Sequence, residues 1–304
     1  MMKRILVTDG MEKSAVDKLR SSGYELVEQF YEPEELKEQI KNFDTVVVRS
    51  ATKIRQPIID AALETGRLKL IIRGGVGVDN IDVEYAKLNG ITVANTPNAS
   101  SASVAELAIG HMFCLARYIH IANHTMREGK WNKKQYEGIE LAGKTLGLIG
   151  FGRIARETAK RAHALGMKVV YTNTSGAKEG FNDYKYMTMD ELLGAADFIS
   201  VHIPGSKDKK PVIGEAQIAK MKDGVFIVNT ARGGVVCEDA LIAALDSGKV
   251  AAAALDVFAE EPTKNERIYT HEKISLTPHI GASTMEAQER IGEEIVQIIQ
   301  NHFE

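Results

Sequence analysis

Short runs of consecutive apolar residues alternate with stretches of helical periodicity over the first hundred residues of the chain. Runs of strand length lie at residues 5–7, 25–27, 46–48, 70–72 and 91–94, with helical periodicity between them at residues 13–19, 33–40 and 57–63. Near-continuous apolar strands separated by helices are typical of a parallel sheet with both faces covered. Residues 1–98 are therefore predicted to form an α/β unit.

The same alternation returns at Gly143 and continues almost to the end of the chain. Strands are predicted at residues 144–150, 168–171, 198–202, 225–228, 252–257 and 274–276, and helices at residues 156–165, 188–195, 214–221 and 238–245. The predicted fold class is α/β, with two doubly wound parallel-sheet domains. A last helix at residues 284–300 is expected to pack back on the first domain. The expected domains are residues 1–98 with 285–304, and an inserted domain of residues 99–284.

The pattern is interrupted between the two α/β halves. Ser103 followed by Glu106 has the spacing of a capping box, which predicts a helix from there to about Ile119. Residues 99–142 fit no simple βα unit and contain the one tryptophan of the chain, Trp131. We interpret this segment as an excursion from the inserted domain.

The strongest chemical signal is the glycine turn between the strand that ends near Gly150 and the helix after it. Gly150 permits the tight turn, Gly152 lets the backbone approach a pyrophosphate, and Ala155 lets the helix pack close to the strand. The free N–H groups and positive end of the helix would face the phosphates. A turn that uses glycine only for its geometry is the alternative, but the order strand, turn, helix, strand favours a dinucleotide site.

The end of the next strand bears on which dinucleotide is bound. That strand usually ends in an acidic residue that binds the ribose hydroxyls, and here Asn173 follows it. An amide still hydrogen-bonds a hydroxyl, but it does not repel a 2′-phosphate. No arginine stands beside Asn173, although Lys178 is near in the sequence, so NAD is favoured over NADP as the cofactor.

Composition and charge exclude several classes of protein. The 304-residue chain is 44% hydrophobic and 26% charged, with a net charge of −3, so no attraction to nucleic acid or to an anionic membrane surface is implied. No stretch approaches the ~20 apolar residues of a membrane span. Two cysteines, Cys114 and Cys237, suggest a reducing compartment. The cytoplasm is the expected location.

We expect no metal site. His120 and His124 lie one helical turn apart, but Ile121 stands where a zinc-peptidase motif needs glutamate. Cys114 sits in an apolar stretch that is typical of a core helix, and Cys237 lies at a predicted helix start with no base near it in the sequence.

Three residues with complementary chemistry follow strands of the second half. Ligands of open α/β sheets bind beyond the carboxyl ends of strands, where Arg232, Glu261 and His279 are expected. The arginine can hold a carboxylate with two hydrogen bonds and polarise the neighbouring oxygen. The imidazole can take a hydroxyl proton while hydride leaves the same carbon, and the glutamate would fix the imidazole tautomer. Separately, Arg232 could brace a strand end and His279 could be structural; together they predict oxidation of a 2-hydroxy acid.

These motifs together resemble the D-2-hydroxyacid dehydrogenase family over the whole chain. The resemblance is carried by Gly150 to Ala155, His202-Ile203-Pro204, Asn229 to Gly234, Leu255 to Phe258, Glu260-Glu261-Pro262 and Thr277 to Gly281. It implies a Rossmann-type nucleotide-binding domain inserted in a flavodoxin-like substrate domain, with the active site in the cleft. It places Arg232, Glu261 and His279 on the catalytic positions of the family.

The resemblance also implies ligand contacts and a partner. The implied cofactor-binding residues are Gly150, Gly152, Arg153, Ile154, Asn173, His202, Ile203, Pro204, Thr230, Ala231, Asp256 and Gly281, with Asp256 on the position that binds the nicotinamide carboxamide. The implied substrate-binding residues are Arg49, Val76, Gly77, Val78 and Arg232. A homodimer through residues 99–142 is implied as well, with Trp131 as an interface anchor.

Within the family, Arg49 to Lys53 and Gly74 to Asn80 most resemble the D-3-phosphoglycerate dehydrogenases. This implies NAD-dependent oxidation of D-3-phosphoglycerate to 3-phosphohydroxypyruvate in serine biosynthesis, with Arg49, Lys53 and Arg73 as candidates to bind the phosphate. The chain ends soon after its last helix, so a C-terminal serine-sensing domain is not expected. The alternatives are another D-2-hydroxyacid dehydrogenase, such as a glyoxylate or hydroxypyruvate reductase, and a non-enzymatic NAD-sensing protein similar to corepressors of this family.

Overall fold

The computed structural model describes residues 2–205 and 210–303. Its strands are β1 (Arg4–Val7), β2 (Glu25–Glu28), β3 (Thr45–Val48), β4 (Leu70–Arg73), β5 (Thr92–Asn95), β6 (Thr145–Ile149), β7 (Lys168–Thr172), β8 (Lys185–Tyr186), β9 (Phe198–Val201), β10 (Val225–Asn229), β11 (Val250–Leu255) and β12 (Ile274–Leu276). Its helices are α1 (Lys13–Ser21), α2 (Pro33–Gln39), α3 (Gln56–Leu63), α4 (Val83–Leu88), α5 (Ser101–Ala116), α6 (Ile119–Arg127), α7 (Arg153–Ala164), α8 (Met189–Ala195), α9 (Glu215–Ala219), α10 (Glu238–Ser247), α11 (Glu266–Tyr269) and α12 (Met285–Phe303).

The chain divides into two compact units, the first made of residues 1–100 and 282–304 and the second of residues 101–281. In the first unit, five parallel strands have the order β2-β1-β3-β4-β5. This is the flavodoxin-like order, in which the chain reverses direction across the sheet between β1 and β3. Helix α12 packs on α1, where a Cβ on Gly292 would lie 2.7 Å from the Cβ of Ala15.

Alternate residues of the first sheet enter two separate apolar clusters. Ile5 and Val7 of β1 face the cluster that includes Ile295 of α12, whereas Leu6 faces the cluster that includes Ile59 of α3. Both faces of the sheet are therefore covered, which explains why its strands are almost continuously apolar.

The second unit holds seven parallel strands in the order β12-β11-β10-β9-β6-β7-β8. From β6 the sheet grows first through β7 to β8, then in the other direction through β9 to β12, as in a Rossmann-type fold. The reversal lies between β6 and β9, so the loops after these two strands border the expected ligand crevice. The predicted fold class, α/β with two doubly wound parallel sheets, is confirmed.

The helix predicted from the capping box at Ser103 is wrong in its bounds. Helix α5 begins at Ser101, and Ser103 is a buried residue inside it. The helix ends at Ala116, and Tyr118 adopts a left-handed conformation with φ of 55° before α6 begins. Periodicity did not indicate this break, because apolar residues continue across it. Short elements with little periodic signal, α4, α6, α11 and β8, were not predicted.

Within the described ranges, no single helix is long and apolar enough to cross a membrane. Helices α5 and α6 together have the length and apolar composition of a membrane span, but they are bent by 65° relative to each other. Much of α5 is core: Ala105, Ala108 and Met112 are fully buried.

Candidate active site

The loops after β6 and β9 touch at the point where the order of the second sheet reverses. Gly150 follows β6 with φ of +92°, and a Cβ there would lie 2.4 Å from the carbonyl oxygen of His202 and 2.8 Å from a methyl carbon of Ile203. The N–H of Gly150 donates to the carbonyl of Thr172, at the end of β7. Glycine is required here both by the backbone conformation and by the close approach.

Gly152 has a different reason to be glycine. It is the N-cap residue of α7, with an ordinary φ of −76°, and a Cβ there would meet nothing within 4 Å. The protein itself does not need the space, which lies beside the first turn of the helix at Arg153 and Ile154. This open approach to a helix N-terminus fits a pyrophosphate. Ala155, by contrast, is fully buried against the sheet.

Two buried polar atoms at strand ends also fit a dinucleotide. The side-chain nitrogen Nδ2 of Asn173, after β7, and the hydroxyl of Thr230, after β10, have no hydrogen-bond partner among the residues that the structure describes. The other side of the Asn173 amide is used, because Oδ1 accepts hydrogen bonds from the N–H and the hydroxyl of Ser175. Because buried polar groups are normally paired, these two atoms point to a ligand that supplies hydroxyl or carbonyl oxygens.

His202 presents a neutral ring beside this loop. Burial lowers the pKa of His202 to about 4, and its Nε2 lies 2.9 Å from the hydroxyl of Ser200. Ile203 and Pro204 follow directly in the chain. A neutral imidazole, Ile203 and Pro204 form an uncharged wall at the reversal point, which suits an adenosine moiety better than a phosphate.

His279 and Glu261 form a hydrogen-bonded pair. Nδ1 of His279 lies 2.7 Å from Oε2 of Glu261, and Oε1 of the same carboxylate accepts the N–H of Phe258 at 3.1 Å. The carboxylate accepts only, so Nδ1 carries the proton and Nε2 of a neutral ring is left as a base. Burial raises the pKa of Glu261, but the bonds from His279 and Phe258, with the charge of Arg232, outweigh it and hold that pKa below its ordinary value.

The turn after β10 brings Arg232 to this pair. Asn229 braces the turn, since its Oδ1 accepts the N–H of Ala231 and its Nδ2 donates to the carbonyl of Arg232, both at 3.0 Å. A Cβ on Gly233 would lie 1.7 Å from the carbonyl oxygen of Phe258. The turn and the loop that carries Glu261 are thus in direct contact, and the three residues predicted as catalytic lie together.

Asp256 has a task that the sequence did not reveal. This buried carboxylate accepts the hydroxyl of Thr277 at 2.6 Å and the N–H groups of Ile280 and Gly281 at 2.8 and 2.9 Å. Most of its hydrogen-bonding capacity therefore holds the loop that carries His279. Its expected contact to a nicotinamide carboxamide stays a prediction.

A second candidate region lies in the first unit, at the carboxyl ends of β1 and β3. Asp9, after β1, accepts the N–H groups of Arg49 and Thr52 at 2.7 and 3.0 Å and the hydroxyl of Thr52 at 2.6 Å. Asn80 donates to the carbonyls of the same two residues. These bonds order the loop behind Arg49, and neither Asp9 nor Asn80 was singled out from the sequence.

The neighbouring loop after β4 contains Val76, Gly77 and Val78. Asn95 donates to the carbonyl of Val76 at 2.5 Å, and the carbonyl of Val78 accepts from Ile81. Both of these bonds use carbonyl oxygens of the loop, and neither uses the N–H group of Val76, Gly77 or Val78. The loop is thus held through its carbonyls, in a manner compatible with N–H groups that bind an anion.

Among the described residues, no group of three or more His, Cys, Asp or Glu side chains could hold a metal ion. The two histidines of α6 have other partners. Nε2 of His120 lies 2.9 Å from the carbonyl of Glu272, and Nε2 of His124 lies 3.0 Å from Glu128.

Comparison with known proteins identifies the family. The model of the D-isomer specific 2-hydroxyacid dehydrogenase NAD-binding domain matches residues 109–281. Hydroxypyruvate reductase of Thermotoga maritima is 47% identical over 97% of this chain and 97% of that protein. D-3-phosphoglycerate dehydrogenase of Methanocaldococcus jannaschii is 46% identical over 98% of this chain, but the match spans only 57% of that protein.

Similarity to a solved structure supports the same family. A glyoxylate reductase from Paecilomyes thermophila superposes with a TM-score of 0.89 at 33% identity, covering 98% of this chain and 94% of that one. The chain belongs to the D-isomer specific 2-hydroxyacid dehydrogenases. It is an NAD-binding oxidoreductase, as the sequence predicted.

Proposed function

We propose that the protein catalyses the NAD-dependent oxidation of D-3-phosphoglycerate to 3-phosphohydroxypyruvate. The observation that carries this choice of substrate is the position of two arginines in the first unit. Arg73 is the last residue of β4 and pairs in register with Val48, the last residue of β3, which Arg49 follows. Both arginines therefore stand at the carboxyl edge of adjacent strands, and guanidinium groups are well suited to bind a dianionic phosphate.

The loop around these arginines is compact. A Cβ on Gly75, whose φ is +144°, would fall 1.3 Å from a guanidinium nitrogen of Arg73. That guanidinium therefore lies across the loop that leads to Val76, Gly77 and Val78. We propose that these three N–H groups bind the substrate carboxylate and that Arg49, assisted by Lys53 and Arg73, binds the phosphate.

The acid–base step follows from the tautomer of the pair in the second unit. Gly152, Asn173 and Thr230 would hold NAD⁺, which when bound would supply the acceptor for the hydride from C2 of the substrate. Nε2 of His279 takes the proton of the C2 hydroxyl, so one C–H and one O–H bond break while the C=O bond forms. Glu261 stabilises the imidazolium that results, and Arg232 polarises the C2 oxygen and holds the carboxylate. On the way back to the hydroxy acid, the same imidazolium returns the proton.

The proposal also includes the pathway, the cellular compartment and the oligomeric state of the enzyme. Oxidation of D-3-phosphoglycerate opens the phosphorylated route to serine, and the cytoplasm suits an enzyme with two unpaired cysteines. We propose that two copies associate through residues 99–142. Trp131 is 77% exposed and Met126 51% exposed, as interface residues of an isolated chain would be. Lys133 of that segment is a candidate to assist at the phosphate across the dimer.

The test compares substrates that differ only in the phosphate. We expect kcat/KM for D-3-phosphoglycerate to exceed that for D-glycerate by at least about a hundredfold, as for loss of a charged contact from a built site. Arg49→Met should lower kcat/KM for the phosphorylated substrate by about tenfold or more and leave hydroxypyruvate reduction unchanged. Arg55→Met is the matched control, because Arg55 lies in the same segment but pairs with Asp82.

The second candidate function is reduction of hydroxypyruvate or glyoxylate. Its support is the hydroxypyruvate reductase of Thermotoga maritima, which matches this chain over 97% of both lengths. If D-glycerate and D-3-phosphoglycerate are used equally well, and Arg49→Met affects neither, the phosphate proposal is wrong and this second function stands.

A further inference from the structure

A buried histidine lies behind the candidate catalytic loop, and the proposed reaction does not use it. His111 sits in the apolar helix α5 and is 3% exposed. Its Nδ1 lies 3.3 Å from the hydroxyl of Ser275, and its Nε2 lies 3.1 Å from the hydroxyl of Thr277. Both ring nitrogens therefore have hydrogen-bond partners inside the core.

The direction of each hydrogen bond in this group can be assigned from one end. The Asp256 carboxylate can only accept, so the hydroxyl of Thr277 donates to it, at 2.6 Å. The Thr277 oxygen must then accept from Nε2–H of His111. A neutral ring with its proton on Nε2 accepts at Nδ1, so Ser275 donates there. Burial lowers the pKa of His111, with an opposing contribution from the charge of Asp256, which agrees with a neutral ring.

The other end of the chain of bonds reaches His279. Asp256 accepts the N–H groups of Ile280 and Gly281, the two residues that follow His279. His279 has φ of +54°, in the left-handed region that a residue with a side chain rarely adopts. Such a conformation persists only where neighbouring residues hold it in place. On the C-terminal side of His279, the two hydrogen bonds to Asp256 do this.

We propose that His111 is a positioning residue which, through Thr277 and Asp256, holds the backbone at His279 so that its imidazole meets Glu261 and the substrate. The proposal rests on the proposed acid–base role of His279. It assigns a function to a residue of α5 that is 168 positions from His279 in the sequence. The hydrogen bonds then run in one direction, from Ser275 to His111, from His111 to Thr277 and from Thr277 to Asp256.

The alternative is that His111 merely fills the core, and paired variants separate the two. His111→Phe keeps a flat aromatic ring, slightly larger than imidazole, and removes both hydrogen bonds, whereas His111→Gln keeps a donor and an acceptor. Thr277→Val removes the hydroxyl without changing the shape, whereas Thr277→Ser keeps it. Met112→Ala truncates a fully buried neighbour on the same helix that takes no part in these bonds.

We expect His111→Phe and Thr277→Val to lower kcat by about tenfold to a hundredfold, because the base is misplaced rather than removed. The dissociation constant of NADH, from fluorescence titration, should rise by a smaller factor than kcat falls, because these residues meet the expected cofactor site only through Asp256 and Gly281 and take no part in the glycine turn at Gly150 and Gly152. His111→Gln and Thr277→Ser should recover most of kcat. In ¹H–¹⁵N spectra, the His279 ring signals should shift in the first pair and not in Met112→Ala.

Each result has a defined meaning. If folded His111→Phe and Thr277→Val keep wild-type kcat and His279 signals, the proposal is wrong. It is also wrong if Met112→Ala lowers kcat as much as His111→Phe, since packing alone would then explain the loss. If His111→Phe does not fold, kcat and the His279 ring signals of Thr277→Val test the proposal instead. His279→Gln, measured in parallel, must be nearly inactive; if it is active, the proposed function itself is wrong.

Discussion

Gly233 approaches the carbonyl oxygen of Phe258 so closely that a Cβ would lie 1.7 Å from it. This contact joins the turn of Arg232 to the loop of Glu261. We predict that Gly233→Ala forces the turn away from the loop and lowers kcat/KM by at least about a hundredfold, because a displacement of about 1 Å is enough for such a loss. Steady-state kinetics with hydroxypyruvate or 3-phosphohydroxypyruvate measures it.

The neighbouring glycine is the matched control for that prediction. Gly234 has φ of +75° and open space around its Cβ position. Gly234→Ala should therefore cost about 1 kcal/mol in stability from backbone strain alone, with a much smaller effect on turnover. Equal kinetic losses in the two variants would contradict the role assigned to the Gly233 contact.

Alanine substitutions at the two glycines of the nucleotide loop should have different effects, one on NADH binding and the other on stability. Gly152→Ala meets no protein atom within 4 Å, so we expect only the small loss of stability that alanine causes at an N-cap. The dissociation constant for NADH should rise by about tenfold or more, because the methyl group occupies ligand space. Gly150→Ala should instead destabilise the fold, since its Cβ would strike the carbonyl of His202. Thermal melts and fluorescence titrations of both variants provide the check; tight NADH binding by Gly152→Ala would refute the assignment.

Asn173 should set how strongly the enzyme distinguishes its two dinucleotides. An amide with a buried, unsatisfied Nδ2 tolerates a 2′-phosphate, whereas a carboxylate repels it. We predict that Asn173→Asp raises the dissociation constant of NADPH by about tenfold or more and that of NADH by less than about threefold. The charge-matched control is Asn182→Asp at an exposed site; if it has the same effect, the discrimination is not local.

His202 should make the fold sensitive to mild acid. Its pKa is lowered to about 4 in the folded state, against about 6.5 in the unfolded chain. The unfolded state therefore binds more protons between these values, and stability falls as the pH drops through this window. Between pH 7.5 and 5.0, His202 alone should lower the free energy of unfolding by about 2 kcal/mol.

Urea denaturation without cofactor at the two pH values measures this change. His202→Asn should lose less stability on acidification than the wild type does. His111, whose pKa is lowered in the same direction, contributes to both proteins and so does not disturb the comparison. An identical pH dependence in the two proteins would show that His202 is not buried as a neutral ring.

The sequence indicated the fold and the set of polar residues at strand ends because both follow from local rules. Apolar runs identify buried parallel strands, and parallel strands bring the residues after them to one edge of a sheet. Arg232, Glu261 and His279 could be grouped on that basis alone. The roles assigned to them from the sequence stay predictions until the variants are measured.

The supporting hydrogen bonds could not be read from the sequence. His111 meets Ser275 across 164 positions and Thr277 across 166, and it stands in an apolar helix that looks like core. Asp9 and Asn80 bond to Arg49 across 40 and 31 positions. The break at Tyr118 escaped for a related reason: a left-handed residue interrupts a helix without interrupting its apolar pattern.

Helix α12 returns to the first unit after the whole second unit has been made. Its Gly292 lies against Ala15 of α1 so tightly that no Cβ fits between them without movement. During synthesis on the ribosome, the β1 and α1 segments therefore emerge early but lack one layer of their core until residues 282–304 follow. The inserted unit has all its residues first, so its folding can precede completion of the unit that brackets it.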